Sequence, residues 1–137
     1  MKIHLALAVA VAICASTAEH ASAHHSFSAE FDAGKPITLK GVVERIEWTN
    51  PHAHVVIDVK DDTGRITVWK FELASPKVLV QQCGWKPTSV NIGDEVTVEG
   101  AMSKDGTATA NARALTLASG RRVSAGSSGG DVPPPHN

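Results

Sequence analysis

From residue 37 to residue 117, apolar and polar positions mostly alternate with the period of two that marks strands. Ile37 and Leu39 are apolar at odd positions, whereas Ile46 and Trp48 are apolar at even ones. The phase changes around residues 41–44, where Gly41 stands. A glycine at a change of phase predicts a bulge or sharp coil, so that one long strand serves two sheet surfaces. Asn50-Pro51 ends this run, and a second strand is expected over residues 52–60. Val55, Ile57 and Val59 share one of its faces; His52, His54, Val56, Asp58 and Lys60 share the other. Asp61-Asp62-Thr63-Gly64 is a turn, and residues 65–73 form a third strand rich in β-formers.

Ser75-Pro76 opens a short helix, with Ser75 as its cap and Pro76 at its first position. Leu79, Val80 and Cys83 are its expected apolar side, and Gly84 stops it. A fourth strand carries Val96, Val98 and Met102 toward the core. A fifth covers about 107–117, with Ala108, Ala110, Ala112 and Ala114 on one face before Leu115 and Leu117 switch phase. Arg121-Arg122-Val123 is a short coda. Three strands, a helix and two more strands, with a long coiled first strand, predict an all-β fold: a small five-stranded OB-like Greek-key barrel with one short helix between strands 3 and 4. A small β-sandwich is the competing arrangement.

The flanks change the picture from a bare domain to an exported one. Lys2, an apolar run over residues 5–15 and the small-residue stretch ending Ala21-Ser22-Ala23 have the order of a secretory signal over residues 1–23. The apolar run is shorter than the about 20 residues that span a bilayer. Cleavage is expected after Ala23, with a second acceptable site after Ala18. Residues 24–35 then read as an extended N-terminal segment, 36–124 as the domain and 125–137, rich in Gly, Ser and Pro, as a disordered tail. Ile13 ahead of Cys14 does not suit lipoprotein processing, so no membrane anchor is expected, and the location is periplasmic or secreted.

The formal net charge is −1. That lacks the basic excess that nucleic-acid binding draws on, so no nucleic acid is expected. Cys83 is the lone cysteine after cleavage and cannot form an internal disulfide; it is read as buried and inert. There is no nucleophile motif or phosphate loop, and the carboxylate pairs Asp61-Asp62 and Asp94-Glu95 sit in turns, so an enzyme is not expected. With three Trp, three Phe and no Tyr, stacking surfaces are scarce. Trp69 is expected in the core, Trp85 over the helix end and Trp48 at the edge of the binding loop.

Candidate chemistry therefore rests on histidine. Cleavage after Ala23 would leave His24-His25 at a free amine. His52 and His54 lie two apart on one face of strand 2, about 6–7 Å apart along the backbone. Imidazole suits copper, nickel and zinc. The expected metal set is His24, His25, His52 and His54, with Glu30 or Asp32 assisting. An N-terminal His can also chelate copper through its amine and ring, the histidine-brace arrangement of copper oxidases. The plain alternative is structural: His24 and His25 as a tolerated mature start, and His52 fixing a turn after Asn50-Pro51.

The runs His24-His25-Ser26-Phe27-Ser28-Ala29-Glu30-Phe31-Asp32, Glu47-Trp48-Thr49-Asn50-Pro51-His52, Gly93-Asp94-Glu95-Val96-Thr97-Val98-Glu99-Gly100 and Thr109-Ala110-Asn111-Ala112-Arg113 resemble an uncharacterised secreted bacterial family, domain of unknown function 6152. The resemblance covers about residues 24–124. It implies export and a small β domain, and no activity. That family often carries an aromatic where this chain has His54, which shifts weight to His24, His25 and His52. A looser, architectural likeness is to periplasmic OB-fold copper and silver chaperones. Together these give the expectation of a monomeric periplasmic binding module. Its ligand is copper, nickel or zinc, or alternatively an envelope protein or small organic molecule met by the face of strands 2 and 3.

Overall fold

In the computed structural model, which describes residues 27–126, the chain is mostly strand. A single helical turn, α1 (Phe27–Glu30), leads into β1 (Phe31–Glu47), β2 (His54–Lys60), β3 (Ile66–Glu72), α2 (Pro76–Gln81), β4 (Glu95–Ser103), β5 (Thr109–Leu117) and β6 (Arg122–Ser124). The sheet order is β3-β2-β1-β4-β5-β6, and a further parallel pairing of β3 with β5 joins five of the six strands in a ring. All other pairings are antiparallel.

β1 is long because it works twice. Pro36 to Val42 pair with β4, and Val42 to Glu47 pair with β2. The register slips between Val43 and Arg45. Ile37, Leu39 and Val43 therefore meet the core from odd positions, and Ile46 meets it from an even one. Gly41 sits at the hand-over, where a Cβ would lie 2.5 Å from the Asp58 carbonyl oxygen. Only hydrogen fits between those two backbones.

The core gathers Val43, Val55, Ile57, Phe71, Leu73, Leu79, Val96, Val98, Ala110, Ala112 and Leu115. In β5 the phase change falls one alanine earlier than expected. Glu99 pairs with Ala114 and Gly100 with Ala112, so Arg113 is the extra residue of a bulge and is exposed. Ala114 thereby leaves the core face and lies opposite Ser124 of β6. Met102, opposite Ala110, is half-buried at the end of this row.

Ser75 caps α2 by accepting from the Val78 amide at 3.3 Å. Leu79 is fully buried, with Val78 and Cys83 packed beside it. Val80 is exposed, contrary to expectation. Successive helical residues stand about 100° apart, so with Val78 and Leu79 on the inward side Val80, about 200° round from Val78, faces outward. Trp85 is buried after the helix and donates from Nε1 to the Ser124 carbonyl at 2.6 Å. Trp48 stands edge-on to it, with ring centroids 5.9 Å apart. Trp69 packs against the core beside Phe71.

The ends differ from the expected divisions. Residues 27–35 are a helical turn followed by the start of β1, because Phe31 pairs with Ser103 and stacks on Phe27. At the other end the domain continues past residue 124. Ala125 is buried, donates to the Arg113 carbonyl and accepts from the Ala74 amide. The expected signal at residues 1–23, His24, His25 and residues 127–137 lie outside the described residues. Among the described residues, no helix is long and apolar enough to cross a membrane.

Candidate functional site

Because directly paired residues in a sheet share a face, the register spells out the outer surface of β1, β2 and β3 row by row. Glu47, His54 and Glu72 form one row; Arg45, Val56 and Lys70 the next; then Val42, Asp58 and Val68; then Lys60 and Ile66. His54 is thus held between two carboxylates from the neighbouring strands.

His52 joins that row from the loop. Residues 48–53 connect β1 to β2 through a cis peptide bond between Asn50 and Pro51. The Thr49 hydroxyl donates to the His52 carbonyl at 3.0 Å. Ala53 is buried, donates to the Ala74 carbonyl and accepts from the Leu73 amide, which extends the β2–β3 ladder by two residues. With Ala53 fixed inward, His52 falls on the same side as His54. Its Nδ1 lies 3.2 Å from Glu72 Oε1, and both side chains are largely buried.

Glu47 is the charged hub. Its Oε2 receives Lys70 Nζ at 2.8 Å and its Oε1 receives Arg45 Nε at 3.0 Å. These bonds, Lys70 first, hold its carboxyl below the usual range. His54 Nδ1 lies 3.6 Å from the same Oε2, beyond hydrogen-bond length, and it is a buried polar atom with no hydrogen-bond partner among the described residues. Burial, then the Lys70 ammonium, pushes the His54 pKa down, against the opposing pull of Glu72 and Glu47. The ring is therefore neutral near pH 7, the form in which imidazole binds metals. Val56, fully buried on this outer face, lies between Arg45 and Lys70 in register.

The two histidines open on a cleft of about 190 Å³ lined by Glu30, Thr49, Asn50, Pro51, His52, His54 and Glu72. His52, His54 and Glu30 are thus brought together. Asp32 is not among the lining residues; its carboxylate accepts from the Gly34 amide at 2.9 Å. Trp48 is 42% exposed but is not part of the cleft wall. Among the described residues, no group of three or more His, Cys, Asp or Glu is arranged to hold a metal ion. Any site with the expected ligand set would draw on His24 or His25, which lie outside the described residues.

Sequence reasoning paired the histidines but missed Glu47, Glu72, Lys70 and Arg45. Alternation places Glu72 on the polar side of its strand. Which rows align, however, depends on the bulge at residues 43–45, and a slip of one residue would send Glu47 to the other face.

No curated protein and no solved structure matches the chain. A family model does, over residues 11–112, and its description is a family of unknown function. The match covers most of the chain and includes β1, the histidine loop, β2, β3, α2, β4 and the first part of β5. The protein belongs to that family, DUF6152.

Proposed function

We propose that this protein is a non-enzymatic binding module of the bacterial periplasm, built on an OB-like barrel, whose histidine cleft takes a divalent transition-metal ion. Strand order supports the barrel reading: a five-strand ring closed by a parallel β3–β5 pairing, with a helix between β3 and β4. The observation that supports the ligand reading is the carboxylate–imidazole contact of His52, with a second imidazole beside it in the same cleft. His52 Nδ1 lies 3.2 Å from Glu72 Oε1, whereas His54 Nδ1, 3.6 Å from Glu47, makes no hydrogen bond to it among the described residues. Metal-binding histidines characteristically present one ring nitrogen to a carboxylate and the other to the ion. His52 and His54 supply two ligands, and His24 or His25 completes the set. Glu30 lines the cleft, and His25 is only five residues ahead of it, a reach of at most about 18 Å.

The test is thermal unfolding of the exported protein with copper, nickel or zinc. An ion bound only by the folded state stabilises it by about 2.7 kcal/mol at a hundredfold excess over Kd. His52→Ala and His54→Ala are each expected to reduce that gain strongly, and mass spectrometry of the mature N-terminus reports whether His24 is first. No shift with any of the three ions ends the metal reading.

A second reading has its own observation. Val42, Val68 and Ile66 are 44%, 50% and 58% exposed and sit in adjacent rows below the cleft. Such a patch suits docking to an envelope protein. It predicts co-purification of a partner that Val68→Glu abolishes and metal leaves unchanged.

A further inference from the structure

We infer that the outer edge of β3 pairs with the same edge of a second copy of this chain, antiparallel and two-fold about Thr67. This contact needs no metal ion. It uses Ile66 and Val68 of the docking patch above but gives them a second copy in place of an envelope protein, and a dimer in place of the monomer expected from sequence. Alternate residues of an antiparallel strand turn their amide and carbonyl to the same neighbour. In the β2–β3 ladder the Asp61 amide donates to the Arg65 carbonyl at 2.9 Å and the Leu73 amide to the Ala53 carbonyl at 2.8 Å. The odd-numbered residues of β3 therefore spend their groups on β2, and Ile66, Val68, Lys70 and Glu72 turn theirs to the far side. Lys70 and Glu72 meet β5 there. Ile66 and Val68 have no backbone partner on that side among the described residues.

That free stretch is bracketed by amides already in use: Gly64 donates to the Asp61 carbonyl at 2.9 Å and Lys70 to the Ala108 carbonyl at 3.0 Å. Two copies of the edge align their free groups only if the axis passes through Ile66, Thr67 or Val68. About Ile66, Val68 would face Gly64; about Val68, Ile66 would face Lys70; each leaves a free carbonyl opposite a spent amide. About Thr67, Ile66 of each copy faces Val68 of the other, and every free group is satisfied. An edge that matches itself in one register fits a second copy. The same register sets apolar Ile66 against Val68 on the outer face and Arg65 against the Trp69 ring on the other. It brings the acidic turn Asp61-Asp62 of one copy toward Lys70 of the other, and no like charges stand opposite. β6, by contrast, is three residues long and begins with a charged Arg122, which discourages pairing. Residues 66–69, Ile-Thr-Val-Trp, are all β-formers with no Pro or charge to protect the edge.

Sedimentation velocity of the exported full chain, in buffer containing EDTA, is expected to show a concentration-dependent equilibrium between monomer and dimer. Val68→Pro removes an amide that points away from β2, so the β2–β3 ladder keeps its bonds while each dimer loses two. Its dissociation constant is expected to rise about 10–100-fold. Val68→Ile, which keeps the amide and the branched apolar side chain, and Val42→Lys, which alters the patch away from the edge, should both dimerise like wild type. Circular dichroism checks the fold of each variant. Thr67→Cys gives a second measure that leaves the ladder intact. The two Thr67 residues form a non-hydrogen-bonded pair on the axis, the kind whose side chains stand closest, so oxidised glutathione should link them. Arg65→Cys, which faces Trp69, and wild type, with Cys83, should not link. Equal linking of Thr67→Cys and Arg65→Cys, or an unchanged dimer in folded Val68→Pro, overturns this inference. So does a chain that is monomeric at every concentration and unlinked in Thr67→Cys. If that monomer still co-purifies a partner through Val68, the docking reading stands; if it does neither, both fall.

Discussion

At His54, four charged or titratable neighbours and the loss of water pull against one another. Burial, the Lys70 ammonium and His52 favour the neutral ring, Glu72 and Glu47 favour the charged one, and the first group wins. A histidine whose pKa falls on folding binds its proton more weakly in the native state than in the unfolded chain. Its contribution is fully present above the unfolded value near 6.5 and is lost as pH falls from there toward the lower native value. Urea unfolding should therefore show His54→Gln losing less stability than wild type between pH 7.5 and pH 5. Asp61 gives the carboxylate counterpart. It accepts from the Thr63 hydroxyl at 2.6 Å and from the Thr63 and Arg65 amides. These bonds, the hydroxyl first, hold its carboxyl below the usual range. That stabilisation is present above the unfolded carboxylate pKa and is lost as pH falls through the native one. Asp61→Asn should flatten the acid limb of the stability curve. The sequence disclosed the turn at Asp61 and the common side of His52 and His54. It did not disclose the carboxylates opposite them, because their alignment belongs to strand register rather than to any local run.

Among the elements, β1 and β5 each change phase at a bulge, and both changes leave a trace in the pattern of apolar residues. The change in β1 was legible because Gly41 marks it. The one in β5 was misplaced by one alanine, since Ala112 and Ala114 look alike on the page and only pairing with β4 separates them. Val80 was misread for a related reason: a helix of six residues is too short for periodicity to choose a side. Close backbone approach gives the sharpest test at this scale. A methyl group at Gly100 would collide with the Asn111 carbonyl, and one at Gly41 with that of Asp58. Each glycine-to-alanine change is expected to cost about 1–3 kcal/mol, measured as a lowered urea midpoint. Leu79→Ala, which empties a fully buried position, is expected to cost about 2–5 kcal/mol. Val80→Ala, on the exposed side of the same helix, should stay within about 0.5 kcal/mol.

For the whole molecule, the order of elements along the chain was readable, because each predicted strand and the single internal helix appear in sequence. The sixth strand was read only as a coda, and the boundary at residue 124 fell short of Ala125. That end is tied in at several points: Trp85 to Ser124, Ala125 to Arg113 and to Ala74. Arg122 also pairs with Glu99. A chain ending at Arg121 should consequently unfold at a distinctly lower temperature than one ending at Gly126, and calorimetry of the two would decide it. The ring itself has a kinetic corollary. β1 needs β4 for its first half, and β3 closes on β5, so the native pairings span most of the sequence. A polypeptide threaded end-first through a narrow conduit would stay slack until its last third emerged, and only then could it snap shut.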